Sequence, residues 1–460
     1  MVRLGLLHSA VSDVLVTIDA LDDEGSGVGH ADGRELHLPD ALPGETVRAR
    51  VLHASPHRGV DWGVCVEQVS PPSPLRVAPA CPAFGQCGGC ALQHLAYPAQ
   101  LDEKRARVAR ALASAGIRVP PVPVTIGSER LLGYRNRSKL VLAPGPAGTI
   151  RWGSFAPASH HLVDMAGCRV PEAPMDELAA EVIRAAEAAG LCAYDERDRS
   201  GELRHLVLRR TDAGRLLITI VAKDAAALPG LRSIAESLCA ARAEVAGVVA
   251  HLHARPGGAI FGADGVDVLL AGASEVEERV GGVRLMLSAR SFFQVNRAQA
   301  ARLYAAAAAA AGSGRVVDLY SGAGGIALTC ALGGATVVGV ESLPAAVADA
   351  ERSARASGLA DRARFLVGDA ADGLPRAAAL LGGVDAVVVD PPRKGLAPAA
   401  RTAVLALAPP RLVYASCDPS SLARDLVALT AGGYRLTSLA PYDLFPGTPH
   451  VETLALLERA

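Results

Sequence analysis

Aromatic side chains are scarce in this chain: Phe, Trp and Tyr make up 4% of its 460 residues. Half the residues are nevertheless apolar and alanine is abundant, so Ala and Leu must fill much of the interior. Neither charge is in excess, since 46 Lys and Arg face 47 Asp and Glu and leave a net charge of −1. That balance excludes a global nucleic-acid signature, and any RNA contact must use local patches. No apolar run approaches the about 20 residues of a membrane span. The alanine-rich Ala305–Ala311 is short and reads as a helix interior, alanine being the best helix former. The first residues carry Arg3 and a short apolar stretch broken by His8 and Asp13. They lack the longer apolar region and cleavage site of a signal peptide. A cytoplasmic protein is expected, with no membrane partner and no obligate protein partner evident. The G-x-G-x-x-G dinucleotide fingerprint is missing. So is the Lys-Ser/Thr of a nucleoside-triphosphate loop.

The length implies two or three domains. Residues 11–70 alternate short apolar runs with Gly and Asp turn signals, as in a small β-barrel. The proline-rich PPSPLRVAPACP at 71–82 reads as a linker. The middle, to about 290, alternates helical stretches and strands without a chemically telling motif. In the last third, VVDLY, TVVGVE, RFLVGD, VDAVVVD and RLVYAS are buried-type strands separated by helical segments. That periodicity implies a parallel α/β sheet with crossover helices. The expected division is a barrel over 1–70, a central α+β region over 71–290 and a Rossmann-like domain over 291–460.

DLYSGAGG at 318–325 follows a strand and precedes a helix. Its glycines, Gly322 and Gly324 among them, let backbone approach a ligand at the strand's carboxyl end. Glu341 ends the next strand, where a carboxylate can accept ribose hydroxyls, and Asp369 and Asp390 end the following two. A lone acid in such a place is usually a helix cap or turn former. Three of them beside a glycine loop indicate a nucleoside-containing cofactor. Behind them come Cys417 in YASCDP and Glu452 closing DLFPGTPHVE. A thiol and a carboxylate beside a cofactor pocket suggest covalent catalysis at a carbon.

Nine cysteines form an odd set with five scattered singly, which argues for reduced thiols rather than a disulfide framework. CPAFGQCGGC places Cys81, Cys87 and Cys90 within ten residues, with Cys168 far away. Four thiolates suit tetrahedral zinc or an iron–sulfur cluster, and chemistry alone leaves the two open. Two basic stretches are candidate RNA patches. KRARVAR at 104–110 reads as a solvated helix face, and the group Arg135, Arg137, Lys139 and Arg151 lies among Tyr134 and Trp152.

Taken together, SFFQVN at 291–296, DLYSGAGG, DPPRKG, SCDP and PHVE resemble the RNA uracil-5 methyltransferases in order and spacing. The resemblance covers most of the chain. It implies S-adenosyl-L-methionine as cofactor, with Gln294, Tyr320, Glu341, Asp369 and Asp390 lining the cofactor and uracil pocket. It implies Cys417 as nucleophile, Glu452 as base and Phe292 near a flipped base. GSGVG and LPDALPGE make the N-terminal barrel similar to a TRAM domain, which binds RNA. Cys81, Cys87, Cys90 and Cys168 resemble the 4Fe–4S ligands of the branch acting on 23S ribosomal RNA. Gly325 departs from the family, which often has Asn there, and Tyr320-Ser321 stands where Phe-Cys is frequent.

The chemistry explains the residues. Carbon 5 of uracil is a poor nucleophile until a thiolate adds at carbon 6. A base must then remove the carbon-5 proton so that the thiol is expelled. Asp390 accepts where uracil donates and cytosine has no hydrogen. A free thiol is mostly protonated at neutral pH, so Cys417 needs help, for which the helix beginning in DPSSLARDL is a candidate. The competing readings are a transfer-RNA uridine, an RNA cytosine-5 methyltransferase, and an iron–sulfur RNA-binding protein without catalysis.

Overall fold

The computed structural model describes residues 13–460 except 56, 58, 119, 120, 158, 256, 258, 259 and 263. The opening stretch with Arg3 and His8 therefore lies outside the described residues. Strands β1 (Asp13–Leu21), β2 (Gly27–Ala31), β3 (Arg34–Leu38), β4 (Thr46–Ala54) and β5 (Val60–Gln68) close a barrel in the order β1-β2-β3-β5-β4. Its core takes alternate residues, Val16 and Ile18 on β1 and Val47 and Ala49 on β4. GSGVG is only partly a turn. Gly29 sits inside β2, where a Cβ would lie 2.2 Å from the Thr17 carbonyl oxygen. Glu45 ties the barrel to the linker. Its buried carboxylate accepts the Leu42 and Ser73 amides at 2.8 and 3.0 Å and receives Arg76 on both oxygens.

After α1 (Tyr97–Ser114) come β6 (Arg137–Pro144), β7 (Ile150–Phe155), β8 (Leu162–Asp164), α2 (Met175–Ala188), β9 (Leu203–Arg210), β10 (Leu216–Ala222), α3 (Leu228–Ala241), β11 (Val245–Leu252) and β12 (Val266–Gly272). The seven strands form one sheet, ordered β12-β11-β10-β9-β6-β7-β8. Helices α2 and α3 cover one face through Leu140, Leu206, Leu208, Ile218 and Ile220. Leu217 and Val249, on the other face, join the core of the C-terminal region.

The hairpin of β13 (Glu275–Val280) and β14 (Val283–Ser288) packs on that same core. Then follow α4 (Arg297–Ala311), β15 (Arg315–Leu319), α5 (Gly325–Leu332), β16 (Thr336–Glu341), α6 (Pro344–Ala356), β17 (Ala363–Val367), α7 (Ala370–Leu381), β18 (Ala386–Val389), α8 (Pro398–Leu407), β19 (Arg411–Ser416), α9 (Pro419–Ala431), β20 (Tyr434–Tyr442) and β21 (Glu452–Arg459). The sheet order is β17-β16-β15-β18-β19-β21-β20. The first five strands run parallel, as the buried runs imply, and β21 inserts antiparallel beside β19. The order reverses between β15 and β18, the place where open α/β sheets hold ligands. Helix α1 packs on this half too, with Val108 and Leu112 in the same core as Leu426 and Leu429 of α9. No helix among the described residues is long and apolar enough to cross a membrane.

Replacing Glu45 by Ala should lower stability by about 2 kcal/mol or more, because two amides and a guanidinium lose their acceptor. Urea unfolding measures this, and an unchanged midpoint would show that the barrel needs no such tie.

Candidate active site

Strand register builds the site. Ser416 of β19 pairs with Thr453 of β21, so Cys417 and Glu452 follow on neighbouring antiparallel strands at one sheet edge. Val389 pairs with Tyr414 and Leu319 with Val389, which puts Asp390 and Tyr320 at that same edge. Leu319 also pairs with Val340, which brings Glu341 alongside. Five residues distant in sequence thus converge because their strands end together.

The cavity there is lined by Phe292, Tyr304, Asp318, Tyr320, Ser321, Gly322 and Asp390, with Leu285, Phe293, Ala323, Gly325 and Ile326. Asp318 in the lining and Glu452 behind it are buried with incomplete hydrogen bonding, and Asp390 is half-buried. Both carboxylate oxygens of Asp318, Ser321 Oγ and Glu452 Oε2 have no partner among the described residues. Burial raises the pKa of Asp318, with the Asp390 charge adding to it. Burial raises Asp390 as well. Glu452 is raised by burial and then by Asp390, against an opposing pull from Arg393. Carboxyls so placed hold or take protons near neutral pH. They also leave acceptors open to the polar groups of a bound nucleoside cofactor, which is the fit such a ligand requires.

Cys417 is half-buried. Burial first, then Glu452 and Asp390, push its thiol up to about 12, with Arg393 opposing them. A helix does follow it, but the N-cap of α9 is Asp418, whose own side chain accepts the Ser421 amide at 2.7 Å. The expected helix-terminus activation is therefore outweighed by burial and two acids. Arg393, inside DPPRKG but not singled out in the sequence, is the cation that offsets them; it contacts His450 Nε2 at 3.2 Å.

The glycine loop is shaped as its motif implies. Gly322 and Gly324 have φ of 53° and 90°, and Tyr320 is left-handed at 64° without being glycine. Glu341 Oε2 accepts the Gly322 amide at 3.2 Å, and its other oxygen accepts the Leu343 amide at 2.8 Å. A Cβ on Gly325 would lie 2.7 Å from the Tyr304 ring. The aromatic ring therefore fills space beside the position where the family often has Asn. Asp369 caps α7 by accepting the Ala371 amide at 2.8 Å, so part of its carboxylate is engaged locally. Gln294 is buried, and its carbonyl accepts Asn136 Nδ2 at 3.0 Å. Phe292 is 63% exposed at the cavity's rim. Gln294, Glu341, Asp369, Cys417 and Glu452 are not themselves part of the lining, whereas Tyr304, Asp318 and Ser321 are.

The two basic stretches are not simple solvated patches. Lys104 is buried and ion-paired with Asp443, which corrects its reading as part of a solvated face. Arg137 and Arg209 are buried cross-strand neighbours of β6 and β9. Arg137 donates to the Ser291 and Ala289 carbonyls at 2.8 and 3.1 Å, and Arg209 donates to Ser291 as well. Lys139 and Arg151 remain exposed.

Cys81, Cys87, Cys90 and Cys168 line one cavity with Tyr134, Arg135 and Lys139. All four thiols are free. Among the described residues, no three His, Cys, Asp or Glu side chains are gathered into a metal-binding set. The distant Cys168 lines the same cavity as Cys81, Cys87 and Cys90 of the CPAFGQCGGC segment.

Known proteins sharpen these observations. The family model of tRNA (uracil-5-)-methyltransferases matches residues 383–460, which contain Asp390, Cys417 and Glu452. A model of RNA cap guanine-N2 methyltransferases matches 313–404. An uncharacterized RNA methyltransferase of Halalkalibacterium halodurans is 37% identical over 97% of this chain and 96% of its own. One from Gloeobacter violaceus is 38% identical over the same shares. The solved Pyrococcus abyssi tRNA (uracil-54, C5)-methyltransferase in complex with S-adenosyl-L-homocysteine superposes with a TM-score of 0.76. It is 27% identical and covers 96% of this chain and 99% of its own. The chain belongs to the RNA uracil-5 methyltransferases. As a member of that family it is an S-adenosylmethionine-dependent enzyme acting on RNA.

In this methyltransferase the raised Glu452 has a consequence for stability. A carboxyl raised by folding contributes its full stability below the ordinary value of 4.5 and loses it as pH climbs through the folded value. Glu452→Gln should therefore become more stable than the wild type as pH rises, by ~1 kcal/mol or about 2–4 °C at pH 9. Thermal unfolding at pH 5 and pH 9 checks this. A difference of equal size at both would refute it.

Proposed function

We propose that the enzyme methylates carbon 5 of a uridine in 23S ribosomal RNA through a transient bond between Cys417 and carbon 6. The observation that carries this reading is the meeting of Cys417, Glu452 and Asp390 at one sheet edge. S-adenosylmethionine supplies, when bound, an electrophilic methyl group for carbon 5. The glycine loop with Tyr320, Gly322 and Gly324, together with Gln294, Glu341, Asp369 and Asp390, would hold it and the uracil. Asp318 and Ser321 join that set on the strength of their unpartnered buried oxygens.

Cys417 supplies the sulfur that adds to carbon 6. Its thiol gives up its proton as the sulfur–carbon bond forms, and the acids beside it are suited to receive that proton. Asp390 hydrogen-bonds the uracil edge and selects against cytosine. Glu452 takes the carbon-5 proton after methylation. The ring then regains its double bond and the Cys417–carbon bond breaks. The target nucleotide must leave its stack, and exposed Phe292 is suited to fill or flank the space it vacates.

We assign RNA binding to the barrel over 1–70, as in a TRAM domain, with the catalytic domain over 291–460. The central region over 71–290 holds the cysteine site. Four free thiols line one cavity without being gathered into a ligand set, and by family resemblance Cys81, Cys87, Cys90 and Cys168 would hold a 4Fe–4S cluster, whose role in this reaction would be structural. The barrel and the cysteines support the ribosomal substrate by family resemblance. A transfer-RNA uridine is the second reading. It is favoured by the Pyrococcus abyssi enzyme, whose name specifies tRNA uracil-54 and which covers 96% of this chain. A cytoplasmic location accords with either RNA.

RNA carrying tritium at uracil carbon 5 should release it to water when incubated with enzyme and S-adenosylmethionine. Ribosomal and transfer RNA compared side by side identify the substrate. Cys417→Ala should abolish release. No release from any uridine RNA would defeat the proposal. Glu452→Gln should slow turnover by about 100-fold or more, in line with general-base contributions, and trap a covalent RNA adduct on a denaturing gel. Metal analysis after anaerobic purification should find about four iron atoms per chain for a 4Fe–4S site; zinc instead would overturn the cluster.

A further inference from the structure

We infer that the buried Lys104–Asp443 ion pair positions Glu452 from outside the C-terminal sheet. This rests on Glu452 serving as the base. Lys104 lies on α1 and Asp443 in the connection from β20 to β21, 339 positions apart, and both side chains are fully buried. Asp443 Oδ2 accepts the Tyr97 hydroxyl at 2.9 Å, and Oδ1 accepts the Phe445 amide at 3.0 Å. Lys104 Nζ donates a second bond to the Phe445 carbonyl at 3.1 Å.

The rest of that connection is fastened in the same way. The Gln299 amide donates to the Asp443 carbonyl at 3.0 Å, and Tyr134 Oη to Pro446 at 3.3 Å. The Gly447 amide donates to Gln100 Oε1 at 2.9 Å, and its carbonyl accepts the Leu92 amide at 2.8 Å. Arg107 donates to the Pro449 carbonyl at 2.9 Å. Three residues later Glu452 opens β21, paired with Tyr442.

Two facts make this a positioning device and not merely a brace. First, Glu452 Oε2 has no hydrogen-bond partner among the described residues, so its aim is set by the backbone that delivers it. Second, an apolar pair of similar volume commonly holds a helix against a loop at least as stably as a buried ion pair. What an apolar pair lacks is direction. Lys104 and Asp443 fix the loop's rotation through bonds to particular carbonyl, amide and hydroxyl groups.

The test removes both charges together. In Lys104→Met/Asp443→Asn the new amide still accepts from Phe445 and can partner Tyr97, and no unpaired charge stays buried. The melting temperature should remain within a few degrees of wild type, and KM for RNA and for S-adenosylmethionine should hold. The kcat should fall about tenfold or more, a barrier change of roughly 1.4 kcal/mol. The covalent RNA adduct should accumulate, as in Glu452→Gln. Wild-type kcat in a stably folded double variant would overturn the inference. A loss of kcat without adduct would overturn it too. Should the double variant not fold, Tyr97→Phe decides the matter, with roughly a threefold fall in kcat and visible adduct expected. Normal kcat in that variant would refute the inference. Free turnover by Glu452→Gln would instead remove the base assignment itself, so the two failures are distinct.

Discussion

The site depends on one antiparallel pairing. Strand β21 lies between β19 and β20, and its first residues meet the last residues of β19. Without that insertion Cys417 would face only the parallel strands and their helices. With it, a carboxylate from the end of the chain arrives beside a thiol from the fifth parallel strand. Both strands are buried along most of their length, and a one-residue slip between them would move Glu452 out of line with Cys417.

That arrangement has an electrostatic character of its own. Buried Asp318 and buried Glu452 each feel the charge of half-buried Asp390, and Arg393 is the cation offsetting Glu452. Such a pocket resists full ionisation, since each charge opposes the next in a medium that screens poorly. It is well suited to shuttling protons and to receiving a cationic ligand. A free thiolate would be disfavoured there, so addition of sulfur to the ring is best coupled to departure of its proton.

Much of this was legible in the sequence because parallel strands announce themselves as apolar runs. Their carboxyl ends then mark Glu341, Asp369 and Asp390, with Cys417 just beyond the last, whereas Tyr320 was picked out only by the family resemblance. Tyr304 was not legible, since it sits among alanines in α4 and reads as filler. Only the close approach of Gly325 reveals that its ring occupies the space a side chain there would need. Asp318 lay within a noted motif yet passed unmarked, because a strand-interior acid ordinarily has partners and this one does not. Lys104 was misread for the opposite reason. A run of cations on a helix is usually solvated, and the acid that draws this one inward lies hundreds of residues away. Pairings of that kind leave no local trace.

The opposed guanidiniums of Arg137 and Arg209 carry one more consequence. Like charges directly across a strand pair repel, and these two are relieved by carbonyl oxygens belonging to the segment that leads into the catalytic half. The central sheet is thus incomplete by itself. Cut free of its neighbour, it would be left with two cations face to face and no acceptors. The central sheet therefore draws the acceptors for its own buried cations from the segment that opens the catalytic half, which makes the two halves one folding unit.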